Sequence, residues 1–230
     1  MGMVKKITFS SILVATLVSP AQAELTGNVT LTSDYIFRGF TQTDQKPAIQ
    51  GGFDYAHEAT GVYAGIWASN VDLGGSVSIE VDYLLGVTGE FAGIGWDLGA
   101  VYYDYPSDGA QDFDYAEYKV GLSWNFLSAE YYYSDDFFGT NTEDAHYFSL
   151  GADFDLPMEL SLSLHGGHQI VDGSGGVEYN DWSVGISRNV QGVDLGLTYT
   201  DTNGVDDRFN GGSCSSLCDS RILFSISKQL

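Results

Sequence analysis

From Val77 to Thr88 the chain alternates without a break. Val77, Ile79, Val81, Tyr83, Leu85 and Val87 fall on one face, and Ser78, Glu80, Asp82, Leu84, Gly86 and Thr88 on the other. A period of two is a β-strand whose faces meet different surroundings. A soluble strand would carry long Lys and Glu side chains on its wet face; here that face is small or acidic. The same pattern returns down the chain and predicts twelve strands, at 25–37, 47–56, 62–70, 77–88, 94–104, 115–126, 127–135, 145–154, 159–169, 179–188, 193–200 and 220–230. Their apolar faces are free of charge in the middle. Leu25, Val29, Leu31, Tyr35 and Phe37 make the first; Tyr118, Val120, Leu122, Trp124 and Phe126 make the sixth. Strands of this length, apolar on one side and Gly, Ser, Thr or Asp on the other, predict an all-β fold. The expected form is a transmembrane, antiparallel, up-and-down β-barrel with a wet lumen.

The connections alternate as well. Short ones near 57–61, 89–93, 126–127, 155–158 and 189–192 are interleaved with long polar ones at 105–114, 135–144, 171–178 and 201–219. Short turns at one end and long loops at the other are the asymmetry of an outer-membrane barrel, the long loops being external. Tyr35, Tyr55, Trp96, Tyr102, Trp182 and Tyr199 lie toward strand ends, where interface girdles belong. A secreted β-sandwich or lipocalin-like barrel is the soluble alternative, with the apolar face turned inward.

The first residues have the composition of an address. Lys5 and Lys6 precede an apolar run, 7–18, and Ala21-Gln22-Ala23 follows as a cleavage site. Residues 1–23 therefore read as a signal peptide and 24–230 as one barrel domain. The 31 acidic residues against 9 basic ones give a formal net charge of −22. Such a balance argues against nucleic acid, which needs a basic face. It suits loops that meet ions bridging lipopolysaccharide, or a lumen that favours cations. Cys214 and Cys218 are the only cysteines, and in an exported chain they are expected to form a short loop disulfide. Two thiols without a nearby His fall short of a structural zinc set, and no metal or other cofactor is expected.

Inward ionisable residues are the candidates for function, because the lumen decides what passes. Asp34, Asp54, Glu80, Asp82, Asp97, Glu117, Glu130, Asp153 and Asp194 are nine inward acids set against three inward bases, Arg38, Lys119 and Arg221. Asp54, Asp97, Asp153 and Asp194 are expected to form a loose acidic ring at the inner mouth. Glu80, Asp82, Glu117 and Lys119 belong to the outer half, where lining the pore and pairing across it are both open for Glu117 and Lys119. Arg38 is expected to end the first strand and position the first external loop, with Asp34 as its alternative partner. His165 faces the lumen, while His168 has the opposite parity, so the two cannot chelate one metal from a strand. An outer-membrane hydrolase would need a Ser activated by a His at the rim. Ser149 and His146 have opposite parity, and no catalytic residue is assigned.

The stretch Ser33-Asp-Tyr-Ile-Phe-Arg-Gly-Phe-Thr-Gln42, followed by Lys46-Pro-Ala-Ile-Gln-Gly-Gly-Phe-Asp54, resembles the opening of the TorF porin family. Gly61-Val-Tyr-Ala-Gly-Ile-Trp-Ala-Ser-Asn70, Ile79-Glu-Val-Asp82 and Tyr102-Tyr-Asp-Tyr-Pro106 fit the same resemblance. It implies an outer-membrane barrel with a porin-like role and no particular substrate. The expectation is a monomeric, non-enzymatic channel in the outer membrane for small cationic or neutral solutes. Its partners would be outer-membrane lipid, lipopolysaccharide and the barrel-assembly machinery. A closed structural or adhesin-type barrel is the alternative.

Overall fold

The computed structural model describes residues 23–106, 113–139, 144–173, 176–205 and 216–230. The predicted leader lies outside them except for Ala23, and so does Cys214. Among the described residues, fourteen strands run in chain order. They are β1 (Ala23–Thr32), β2 (Ile36–Phe37), β3 (Phe40–Thr41), β4 (Ala48–His57), β5 (Val62–Asn70), β6 (Ile79–Phe91) and β7 (Ile94–Asp104), then β8 (Tyr115–Trp124), β9 (Leu127–Ser134), β10 (Ala145–Leu156), β11 (Leu160–Val171), β12 (Glu178–Val190), β13 (Val193–Asn203) and β14 (Arg221–Gln229).

Twelve of them form one closed antiparallel barrel, each paired with its neighbour in sequence, while β2 and β3 make a small hairpin of their own. Closure comes from β1, which pairs β4 along its whole length and meets β14 from Asn28↔Gln229 to Thr32↔Ser225. A closed sheet satisfies its backbone groups internally and leaves no edge, the condition for lying in lipid.

The alternating faces are placed as the sequence predicts. Leu25 (70% exposed), Leu85 (61%), Leu150 (67%) and Phe224 (66%) point away from the barrel, together with the other apolar positions of the wall strands. An apolar surface that encircles the molecule far exceeds what a soluble monomer tolerates, which removes the β-sandwich and lipocalin-like readings. At one end the turns are minimal. Ala92 and Gly93 join β6 to β7, and Gln191 and Gly192 join β12 to β13. All four have positive φ, the backbone of a type I′ hairpin turn.

Two expectations are corrected at the other end. The first strand does not run to Phe37: β1 stops at Thr32, and residues 33–47 turn into the barrel. Tyr35 and Phe37 consequently pack inside, against a buried cluster of Val71, Val77, Leu84, Val101, Tyr103, Tyr105 and Tyr115. The tyrosines are also not all girdle residues. Tyr55, Tyr102 and Tyr199 do face outward, but Tyr63, Tyr132, Tyr147 and Tyr179 are buried in the lumen. The core of this protein is thus inside its barrel, at the long-loop end.

Candidate functional site

The β2–β3 hairpin is a plug, and the local sequence explains its shape. Phe37 pairs with Phe40, leaving Arg38 and Gly39 as a two-residue tip, with φ of 46° and 84°. Positive φ at both positions is the type I′ geometry, natural for Gly39 and sparsely populated for an arginine. The tip lies so close to the wall at β12 and β13 that a Cβ on Gly39 would collide with Thr202 and Asp181. Thr202 Oγ1 donates to the Gly39 carbonyl at 3.1 Å.

Two charged anchors hold the plug. At its base, Asp34 accepts hydrogen bonds from Thr41 Oγ1 (2.6 Å) and Thr43 Oγ1 (2.8 Å) and pairs with Arg221 of β14 at 2.7 Å. At its tip, Arg38 reaches across the lumen to the opposite wall. Its Nη1 donates to Glu117 Oε1 (2.8 Å) and Gln169 Oε1 (2.9 Å), and its Nη2 donates to Glu117 Oε2 (2.6 Å). The guanidinium carbon lies 4.1 Å from the ring centre of Tyr147, 5.1 Å from Tyr132 and 5.8 Å from Phe137. Both side chains of the ion pair are almost completely buried, at 5% and 2% exposure. The alternative Arg38–Asp34 contact is not formed, and Arg38 does more than the expected positioning of a loop: it spans the lumen.

Beside this latch lies an acidic layer. Glu80 accepts from Tyr35 Oη at 2.9 Å and from Tyr105. Burial, and then the nearby Glu80 and Asp82, push the Tyr35 phenol well above its usual range, so it stays a donor. Asp82 is 1% exposed, and its Oδ1 has no hydrogen-bond partner; the Tyr115 hydroxyl is likewise unpartnered. Neither Glu80 nor Asp82 has a cationic partner among the described residues. Lys119 does have acidic ones: its Nζ lies 2.6 Å from Asp97 and 3.9 Å from Glu130. Of the two roles open for Glu117 and Lys119, pairing holds: Glu117 pairs across the lumen with Arg38, whereas Lys119 pairs along its own wall with residues of the flanking strands β7 and β9.

The expected acidic ring at the short-turn end is only half of one. Asp97 is taken by Lys119 and by Tyr63 Oη (2.9 Å), and Asp194 accepts from Asn189 Nδ2 at 2.8 Å. Asp54 and Asp153 are on inward parity, half-buried and without an ion pair among the described residues. Between these levels His165 bonds Asp181 (2.9 Å) and Tyr147 (3.0 Å) from the lumen wall, while His168 lies outside beside Glu178 and Asn180. Cys218 is buried, and its expected partner Cys214 lies outside the described residues.

Tyr132, Tyr147 and Gln169 are not singled out by the sequence pattern. Their inward parity is legible, but their convergence on Arg38 requires the barrel to close first.

Comparison with known proteins extends the picture. The family described as "Bacterial protein of unknown function (Gcw_chp)" matches residues 15–230, a match that does not carry the TorF name. No curated protein matches. Among solved structures, the chain resembles the KdgM porin at 7% identity and TM-score 0.55, covering 88% of this chain and 98% of that one. It resembles the COG4313 outer membrane channel from Pseudomonas putida F1 at 10% identity and TM-score 0.54, covering 92% and 96%. The NanC porin follows at 9% identity and TM-score 0.52, covering 89% and 98%. At such identities the likeness is one of fold: a twelve-stranded closed barrel of the kind that porins use.

Proposed function

This chain belongs to the Gcw_chp family of bacterial proteins, and we propose that it is an outer-membrane, porin-like channel for passive diffusion of small cationic or neutral solutes. The carrying observation is a lumen lined by mostly small and acidic residues in its short-turn half and filled in its long-loop half by the plug. Gly52, Asp54, Gly65, Asp153, Ser163, Ser187 and Ser225 face the short-turn half and stay partly accessible. In the membrane the long loops face outward and the plug sits in the outer mouth. A cation loses less on entering than an anion, because Asp54 and Asp153, half-buried on inward parity and without an ion pair among the described residues, set the sign of the potential.

Lipid and lipopolysaccharide cover the outward band in this reading, the barrel-assembly machinery inserts the chain, and closure within one chain needs no second copy. The Cys214–Cys218 disulfide is part of the same proposal, as a staple in the last external loop.

The test is reconstitution. Unheated protein in SDS should migrate faster than boiled protein, and its proteoliposomes should swell in small sugars and amino acids. A folded, heat-modifiable barrel with no swelling and no conductance in planar bilayers would instead favour the closed structural barrel. The burial of the plug is the observation on that side.

A further inference from the structure

The wall around Glu117 has the chemistry of a receptor for a guanidinium group, and it is built independently of the arginine that fills it. Glu117 presents both carboxylate oxygens to one planar partner, and it is itself oriented by Tyr103 Oη at 3.0 Å. The amide of Gln169 is fixed from behind, donating Nε2 to the carbonyls of His146 (3.1 Å) and Ile170 (3.2 Å), so that its Oε1 faces the lumen. Tyr147 and Tyr132 supply π-faces, Tyr147 being pinned by His165 and Asp181. A forked carboxylate, an in-plane carbonyl and aromatic faces are what a guanidinium selects over a point-like ammonium. Asp82 lies in the same buried layer with an unpartnered oxygen.

We propose that this pocket is a guanidinium-binding site occupied here by the protein's own Arg38. A solute carrying a guanidinium group displaces Arg38, frees the tip of the plug and so opens the passage. The site itself stands on the geometry; the opening step rests on the channel reading above. Competition is against a tethered group whose effective concentration is on the order of millimolar. Displacement in the native chain therefore requires solute at that level or higher, whereas a chain without Arg38 binds the same solute freely.

The test uses methylguanidinium as probe and methylammonium as control, with the full chain in detergent. Arg38→Ala should bind methylguanidinium saturably by calorimetry, at least tenfold more tightly than methylammonium. Binding should raise its melting temperature toward that of the native protein. Arg38→Ala with Glu117→Gln should lose that binding tenfold or more. Arg38→Lys keeps a charge in place if the alanine variant does not fold, and it should bind the probe more weakly than Arg38→Ala but more tightly than native protein. An Arg38→Ala barrel that folds, by heat-modified migration, and binds no probe overturns the site. So does binding that Glu117→Gln leaves intact. In planar bilayers, native protein should gain conductance with millimolar methylguanidinium and not with methylammonium. If it conducts but ignores the probe at concentrations that saturate Arg38→Ala, the displacement step is wrong. If no variant conducts while calorimetry is positive, the channel reading fails and the binding site survives.

Discussion

The two halves of the lumen are built on the same strands and differ in the volume of what points inward. Down β8 the inward residues are Tyr115, Glu117, Lys119, Gly121 and Ser123; down β12 they are Tyr179, Asp181, Ser183, Gly185 and Ser187. β7 makes the same change in reverse, from Gly95, Asp97 and Gly99 to Val101 and Tyr103. Large rings and charges crowd the long-loop end and close on the plug. At the short-turn end the inward residues are mostly small, and the Tyr63 ring lies over Gly86 and Gly99. Alternation specifies the wall, but side-chain volume at the inward positions decides where the wall encloses a packed core and where its lining stays partly accessible.

Removing the plug should therefore have the largest effect on transport and little on the wall. Replacing residues 35–42 by a short Gly-Ser link should raise single-channel conductance severalfold, while the heat-modified gel shift persists, because no ladder bond of the closed barrel is lost. Unchanged conductance would put the narrowest point in the short-turn half and reverse the comparison. Next in size is the latch. Glu117→Gln leaves the buried Arg38 guanidinium without its counter-charge, a loss of about 3–5 kcal/mol. Unfolding by urea in lipid vesicles measures it. Replacing both partners with apolar residues (Arg38→Met with Glu117→Leu) should recover most of that loss. A single substitution that costs nothing would mean that the plug is held mainly by Asp34 and Arg221.

Most of the wall is legible in the sequence, and the plug is not. The run 62–70 appears as a strand with the same bounds, and the clean alternation at Val77–Val87 marks β6 within a few residues. Here local pattern and global fold agree. Tyr35 and Phe37 continue that alternation on the first strand, so period alone keeps them in the wall. What bends the chain inward is tertiary: Asp34 meeting Arg221, and Arg38 meeting Glu117, across 187 and 79 residues of sequence. One local signal does exist. Phe-Arg-Gly-Phe at 37–40 is a hairpin pattern with Gly at a turn position, and it reads as a strand top only if Gly39 is ignored. Parity separates inward from outward acids along a strand, but it does not say which of them are neutralised. That is why the ring at the inner mouth loses Asp97 to Lys119.

The short-turn half should set selectivity. Asp54→Asn with Asp153→Asn should lower the preference for K⁺ over Cl⁻, read as a reversal potential under a KCl gradient. Asp97→Asn should change it less, since that charge is already paired. The difference should be clear in dilute salt and fade as the Debye length falls from about 30 Å at 0.01 M to about 3 Å at 1 M. A native channel that prefers chloride would overturn the assignment of the acidic vestibule.

The smallest effect is expected from an ion pair whose geometry matches the latch. Lys46 and Asp72 approach to 2.6 Å, the same separation as Arg38 and Glu117, but with 60% and 46% of their side chains exposed rather than 5% and 2%. The Lys46 hydrogen bond holds the Asp72 carboxyl below its usual range, and the Asp72 bond raises the Lys46 ammonium above its own. A depressed carboxylate contributes above its unfolded pKa and loses that contribution as pH falls through the folded one. A raised ammonium contributes below its unfolded pKa and loses it as pH rises through the folded one. At neutral pH both contributions are present, but water and salt screen them on the surface. The backbone bond from the Asp72 amide to the Gln42 carbonyl, at 2.7 Å, survives any change of side chain. Asp72→Asn should thus leave the melting temperature and the conductance unchanged between dilute and molar salt. A loss approaching that of Glu117→Gln would move the hold on the plug from the buried latch to the rim, and the contrast between the two halves would no longer rest on burial.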